Sequence, residues 1–221
     1  MFNRIRLGLF AFLLLVVADV RTLAADIGPG PSAVQVQRAE KIAASLGLTD
    51  HAQADRVRDI VARQYHELSL IHAARDAAIQ VAKDKAEADK AGSEAAIKQA
   101  KAEAQAAQDR LHPEYLARLA AELTPAQIDQ VKDGMTYGVL PLTFRVYQEM
   151  LPDLTEAQKT QILAWLTEAR ELAMDASTSQ EKHGWFGKYK GRINNYLAKA
   201  GIDMKQAEKN LAARRQDAAA R

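Results

Sequence analysis

Between Pro31 and Pro113 the chain contains no proline, and the large apolar residues of that interval recur at helical spacing. Val57, Ile60, Val61, Leu68, Ile71, Ala78 and Val81 fall on one side of a cylinder turned by about 100° per residue, with Tyr65 at its edge. A half-buried strand needs alternation instead, and no stretch offers a convincing period of two. The chain is therefore committed to long helices. A shorter helix is expected over residues 34–46, stopped by Gly47, and the long one starts after Thr49 and Asp50.

Within the proline-free interval the composition shifts. Across residues 82–110 Ile97 is the only large apolar residue, and six bases balance six acids. Alanine and mixed charge favour a helix locally but offer little to bury. The expectation is a solvated helical arm or hairpin, turning back at Gly92 and Ser93. With the remaining helices this gives an all-α fold: a helical bundle with a long projecting arm, one domain over residues 26–221.

The first 25 residues are set apart by their order of charge, apolarity and size. Arg4 and Arg6 precede an apolar run over residues 7–18, and Ala24 and Ala25 follow. That is the arrangement of a secretory signal peptide cut before Asp26, on a run shorter than the roughly 20 residues of a membrane span. The mature protein is expected to be exported, periplasmic or extracellular, with no membrane span. Removing Arg4, Arg6, Arg21 and Asp19 from 30 bases and 28 acids leaves 27 of each. A neutral mature chain lacks the global basic field of a nucleic-acid binder. No cysteine is present, which excludes disulfides, thiolate catalysis and Cys-ligated zinc.

The C-terminal half carries two similar helix starts, Leu-Thr-x-x-Gln at residues 123–127 and 154–158. In each, threonine can cap and glutamine can complete a capping box. In the first, Pro125 also suits the opening helical position. The second opens a helix with Ile162, Trp165, Leu166, Ala169, Leu172 and Ala173 on its buried side. Residues 134–141, GMTYGVLP, read as a glycine-bounded apolar loop, followed by a short helix over 142–151. Residues 203–221 read as a charged, fraying tail.

One segment resists this simple reading. In residues 181–201, EKHGWFGKYKGRINNYLAKAG, helical phase puts Trp185, Tyr189, Ile193, Tyr196 and Leu197 on one side. Gly184, Gly187, Gly191, Asn194, Asn195 and Ala198 fall on the other. Each glycine costs a helix about 1 kcal/mol relative to alanine. Either something approaches the glycine side closely, or residues 184–187 form an irregular aromatic loop before a helix starting near Lys188. Trp and Tyr offer flat apolar faces with polar edges, and Asn, Lys and Arg supply donors beside them. That inventory suits a sugar ring, and it equally suits a buried helix–helix junction. Lys182, Lys188, Lys190, Arg192 and Lys199 form a local basic excess with no intervening acid, able to attract an anionic glycan and equally accounted for by side chains snorkelling around an aromatic core.

Catalytic signals are weak. His66 and Glu67 begin a helical zinc motif, but its second histidine is replaced by Leu70, and His72 with Asp76 supplies too few ligands. No metal or cofactor is expected. Glu168, Asp175 and His183 flank the aromatic segment and are the candidates should the protein act on a glycosidic bond. Glu168, Arg170 and Asp175 otherwise read as solvated surface charges.

Residues 133–144 (DGMTYGVLPLTF), 164–176 (AWLTEARELAMDA) and 182–201 (KHGWFGKYKGRINNYLAKAG) together resemble a family of exported bacterial proteins of uncharacterised function. The resemblance is strongest over residues 123–203. It implies an association with polysaccharide utilisation and carries a provisional sugar-binding label. The expected ligand surface joins residues 135–141, with Tyr137, to residues 185–195. Trp185 and Tyr189 would stack, and Lys188, Arg192, Asn194 and Asn195 would contact hydroxyls or carboxylates. A straight helix would keep Asn194 away from Trp185 and Tyr189, so this surface depends on an irregularity near Gly184. The two Leu-Thr-x-x-Gln elements are also similar to those of small periplasmic helical chaperones and stress sensors, which is the alternative reading.

Overall fold

The structure, a computed structural model, describes residues 29–219; the expected signal peptide lies outside them. Eight helices and no strand occur among the described residues. They are α1 (Ala33–Ser45), α2 (His51–Asp84), α3 (Lys90–Ala120), α4 (Pro125–Met135), α5 (Val139–Met150), α6 (Glu156–Met174), α7 (Ser179–Lys199) and α8 (Met204–Ala219). The protein is all-α. No helix among the described residues is long and apolar enough to cross a membrane. The chain forms two compact units: Val61–Tyr115 with the residues up to Val36, and Gln37–Ile60 with the residues from Leu116 onward.

In the first unit the reversal between α2 and α3 occupies residues 85–89, ahead of the expected Gly92 and Ser93. Asp89 is the reason. Its carboxylate accepts from the Gly92 amide at 2.9 Å and its carbonyl from the Ser93 amide at 3.0 Å, so α3 is capped before the glycine is reached. The alanine-rich stretch is also less solvated than its composition implies. Ala82, Ser93, Ala100 and Ala104 are buried, and the Gln108 amide reaches the His72 ring at 3.5 Å across the helix pair. Small side chains supply the interior where large ones are missing. Helix α3 continues through Pro113, although a proline in a helix interior costs about 3 kcal/mol. Leu111 and Tyr115 on either side of it are buried and hold the helix together.

The second unit is built around α6 and α7, its most extensive helix pairing. Leu140, Tyr147, Met150, Leu154, Ile162, Leu166, Ala169, Phe186, Ile193 and Leu197 share one core. The capping boxes at Thr124–Gln127 and Thr155–Gln158 form as their sequence requires. The apolar loop shrinks to residues 136–138, because α5 already begins at Val139. The tail is helical rather than frayed up to Ala219, with Ala207 buried and Leu211 packed on the core.

Arg170, expected as a solvated surface charge, and Lys182, expected as part of the local basic excess, are both interior. Arg170 is only 5% exposed and spans from α6 to α4, donating to Asp129 at 2.5 Å and Asp133 at 2.9 Å. Burial alone would lower its pKa, but its hydrogen bonds to Asp133 and Asp129, with their negative charge, outweigh that and hold it above the ordinary arginine value. Lys182 is 7% exposed, and its Nζ donates to the carbonyls of Ala173 and Met174 at 3.0 and 2.8 Å. These carbonyls end α6 and have no partner within that helix, so the lysine caps the negative end of the helix dipole.

Candidate functional site

Helix α7 is continuous from Ser179 to Lys199, so the expected loop at residues 184–187 does not form. The third capping box explains its start. Thr178 Oγ1 accepts from the Glu181 amide at 3.1 Å, while Glu181 accepts from the amides of Ser177 and Thr178. Burial explains its persistence. Phe186, Ile193 and Leu197 are at most 1% exposed. Each contributes about 1.5–3 kcal/mol, against about 1 kcal/mol lost at each glycine. Nothing lies within 4 Å of a Cβ built on Gly184, Gly187 or Gly191, so the close approach considered from sequence is absent as well.

The straight helix separates the expected ligand residues. Trp185, Lys188, Arg192 and Asn195 lie along one flank, joined by Lys199. Tyr189 is buried beside them, and burial first, then a hydrogen bond to Glu168, pushes its pKa up to about 12. Asn194 faces α5 instead, where its Oδ1 accepts from the Tyr147 hydroxyl at 2.6 Å. Its groove, about 630 Å³, is lined by Leu142, Val146, Met150, Lys190 and Leu211 among others.

Tyr137 is also on the far side. Its ring stacks on His183, centroids 5.6 Å apart and 16° from parallel, and at about 100° per residue His183 and Arg192 point in opposite directions. Tyr137 has φ 60 and Gly138 φ 64. The Gly138 amide bonds the Asp133 carbonyl at 2.8 Å, closing α4 in a Schellman arrangement. Glycine usually takes the position Tyr137 holds, and a side chain there costs about 1–2 kcal/mol.

The flank that remains faces Trp165 of α6. Together with Lys188, Gly191, Arg192, Asn195, Tyr196 and Lys199 it lines an open groove of about 560 Å³. The Arg192 guanidinium lies over the Trp165 ring, 4.6 Å from its centroid, and Tyr196 meets the same ring edge-on at 5.3 Å. Lys188 Nζ sits 5.1 Å from the centroid of Trp185. Arg192 also approaches Glu168 at 3.6 Å, with both side chains about half exposed. Aromatic surface, an amide and three cations thus converge on one groove.

Sequence reasoning found Lys188, Arg192 and Asn195 but not Trp165 as their companion. Helical phase gave Trp165 only as part of a buried side, and the pairing of α6 with α7 is what brings it to the groove edge. Glu168, Asp175 and His183 are each engaged separately. Glu168 meets Arg192 and Tyr189, Asp175 acts on Lys182, and His183 stacks on Tyr137.

Comparison with curated proteins returns no match. Residues 32–217 match a family model, and on that extent the chain belongs to the family described as "Protein of unknown function (DUF3826)".

Proposed function

We propose that the protein is an exported, non-catalytic carbohydrate-binding protein whose ligand lies in the groove between α6 and α7. The observation that carries this reading is the juxtaposition of Trp165 with Lys188, Arg192, Asn195 and Lys199 in one open groove. A sugar needs an aromatic face for its C–H surface and donors or acceptors for its hydroxyls, and these residue types supply both. The cations now resting on Trp165 and Trp185 are no barrier. An exposed cation–π contact contributes about 0.5–1 kcal/mol, little enough for a ring to displace. The resemblance to exported proteins associated with polysaccharide utilisation favours the same reading.

One observation ranks the enzymatic alternative below it. Glu168 and Asp175 have separate partners instead of forming a paired-carboxylate cleft.

A glycan array followed by calorimetry tests the reading. Binding to a plant or microbial polysaccharide is expected, weakened about tenfold or more by Trp165→Ala and by Asn195→Ala, since one bonded polar contact or ring is worth about 1.4 kcal/mol or more. Asn195 is exposed, so its truncation leaves the fold unchanged. Full affinity in both folded variants would remove the groove, and no binding to any polysaccharide would remove the function.

A further inference from the structure

The groove has a charge that a neutral sugar does not require. Residues 182–199 contain five bases and no acid, although the charges of residues 26–221 taken together balance. The structure divides those five bases. Lys182 is used internally by the carbonyls of α6, and Lys190 lines the groove beside α5. Lys188, Arg192 and Lys199 remain, all in the α6–α7 groove, and no acid lines it.

Glu168 reaches Arg192 at 3.6 Å, and exposed pairs of this kind hold weakly enough to exchange. The Arg192 guanidinium that a sugar ring displaces from Trp165 presents a planar N–H edge for two-point contact with a carboxylate or sulfate of the same ligand. At about 1.5 Å of rise per residue, Lys188 and Lys199 are spread along about 16 Å of helix. That length suits a ligand carrying acidic groups at intervals rather than a single small anion.

We infer that the α6–α7 groove takes an acidic oligosaccharide, its carboxylates or sulfates held by Lys188, Arg192 and Lys199 while a sugar ring rests on the Trp165 side. The inference rests on the carbohydrate reading and adds the charge of the ligand. A neutral glycan would use the three cations only as hydrogen-bond donors, whereas an acidic one also neutralises their charge and draws Arg192 from Glu168. Carboxylated and sulfated sugars share this chemistry.

Calorimetry on the purified protein distinguishes the possibilities. The probes are an oligomer of galacturonic acid, the same oligomer as its methyl ester, a neutral galactose oligomer, a sulfated oligosaccharide and a single-stranded oligonucleotide. The acid form is expected to bind at least about tenfold more tightly than its ester, which keeps the rings and removes the charge. Its affinity should fall severalfold as salt rises from about 20 mM to about 200 mM, because exposed charges are screened. Arg192→Gln and Lys199→Gln should each bring acid and ester closer together while leaving the helical circular dichroism unchanged. Tightest binding of the sulfated probe would keep the inference and select sulfate over carboxylate. Equal binding of acid, ester and neutral oligomer would overturn the acidic ligand and leave carbohydrate binding standing. Tighter binding of the oligonucleotide than of every sugar would overturn the inference, and binding of no sugar would overturn both readings.

Discussion

A methyl group added at Gly184, Gly187 or Gly191 would meet no atom within 4 Å, whereas one added at Gly134 would come within 2.9 Å of Ile42 Cγ1. The same substitution therefore has opposite signs at these positions. Alanine at each α7 glycine removes backbone freedom from the unfolded chain and is expected to stabilise by about 0.5–1 kcal/mol. Gly134→Ala forces α1 away from α4 and is expected to destabilise by about 1–3 kcal/mol. Urea denaturation of the four single variants checks both directions. A lower midpoint for an α7 variant would mean that the glycine side is covered in solution. Gly191 lines the candidate groove while Gly184 and Gly187 do not, so only Gly191→Ala is expected to weaken ligand binding as well.

Between elements, the interior arginine is the informative contact. Arg170 joins α6 to both Asp129 and Asp133 of α4, but the two carboxylates are not equivalent: their side chains are 60% and 26% exposed. Water can replace the arginine at Asp129 more readily than at Asp133. Asp133→Ala is therefore expected to cost about 2–4 kcal/mol and Asp129→Ala about 1 kcal/mol or less, measured by thermal or urea unfolding. Equal costs would mean that exposure does not set the strength of this cluster. None of this was visible in the sequence, where Arg170 looked like any solvated base. Local chemistry was legible: the threonine–glutamine capping boxes at Thr124 and Thr155 form as their spacing requires. What depended on a neighbouring element was not. The glycines of α7 suggested a break because their local preference was read without the buried Phe186, Ile193 and Leu197 that override it. Lys182 counted only as one of a run of bases until the carbonyls that end α6 claimed it. Trp165 became a candidate site residue only once α7 was packed beside it.

For the molecule as a whole, buried titrating groups give stability a defined dependence on alkaline pH. Lys182 has its pKa lowered from 10.5 to about 8, by burial first, with Asp175 and Glu181 opposing the shift and Arg38 adding to it. Between those pH values the unfolded chain holds a proton that the folded chain has released, so stability rises with pH across the window. A shift of this size is worth on the order of 3 kcal/mol at 1.36 kcal/mol per pH unit. Tyr147 and Tyr189 act in the opposite sense. Burial raises each from 10.0 to about 12, so between those values the unfolded chain ionises first and stability falls. Groups with the same pKa in both states drop out of the slope. Unfolding free energy measured by urea denaturation is therefore expected to climb from about pH 8, reach its maximum near pH 10, and decline toward pH 12. Lys182→Met separates the two limbs. It removes a donor from the Ala173 carbonyl, which keeps the Ala176 amide, and the Lys182 donor from the Met174 carbonyl, so its absolute stability is lower, but the rise above pH 8 should vanish while the decline above pH 10 persists. A variant that keeps the rise would assign it to another group and remove Lys182 as its source.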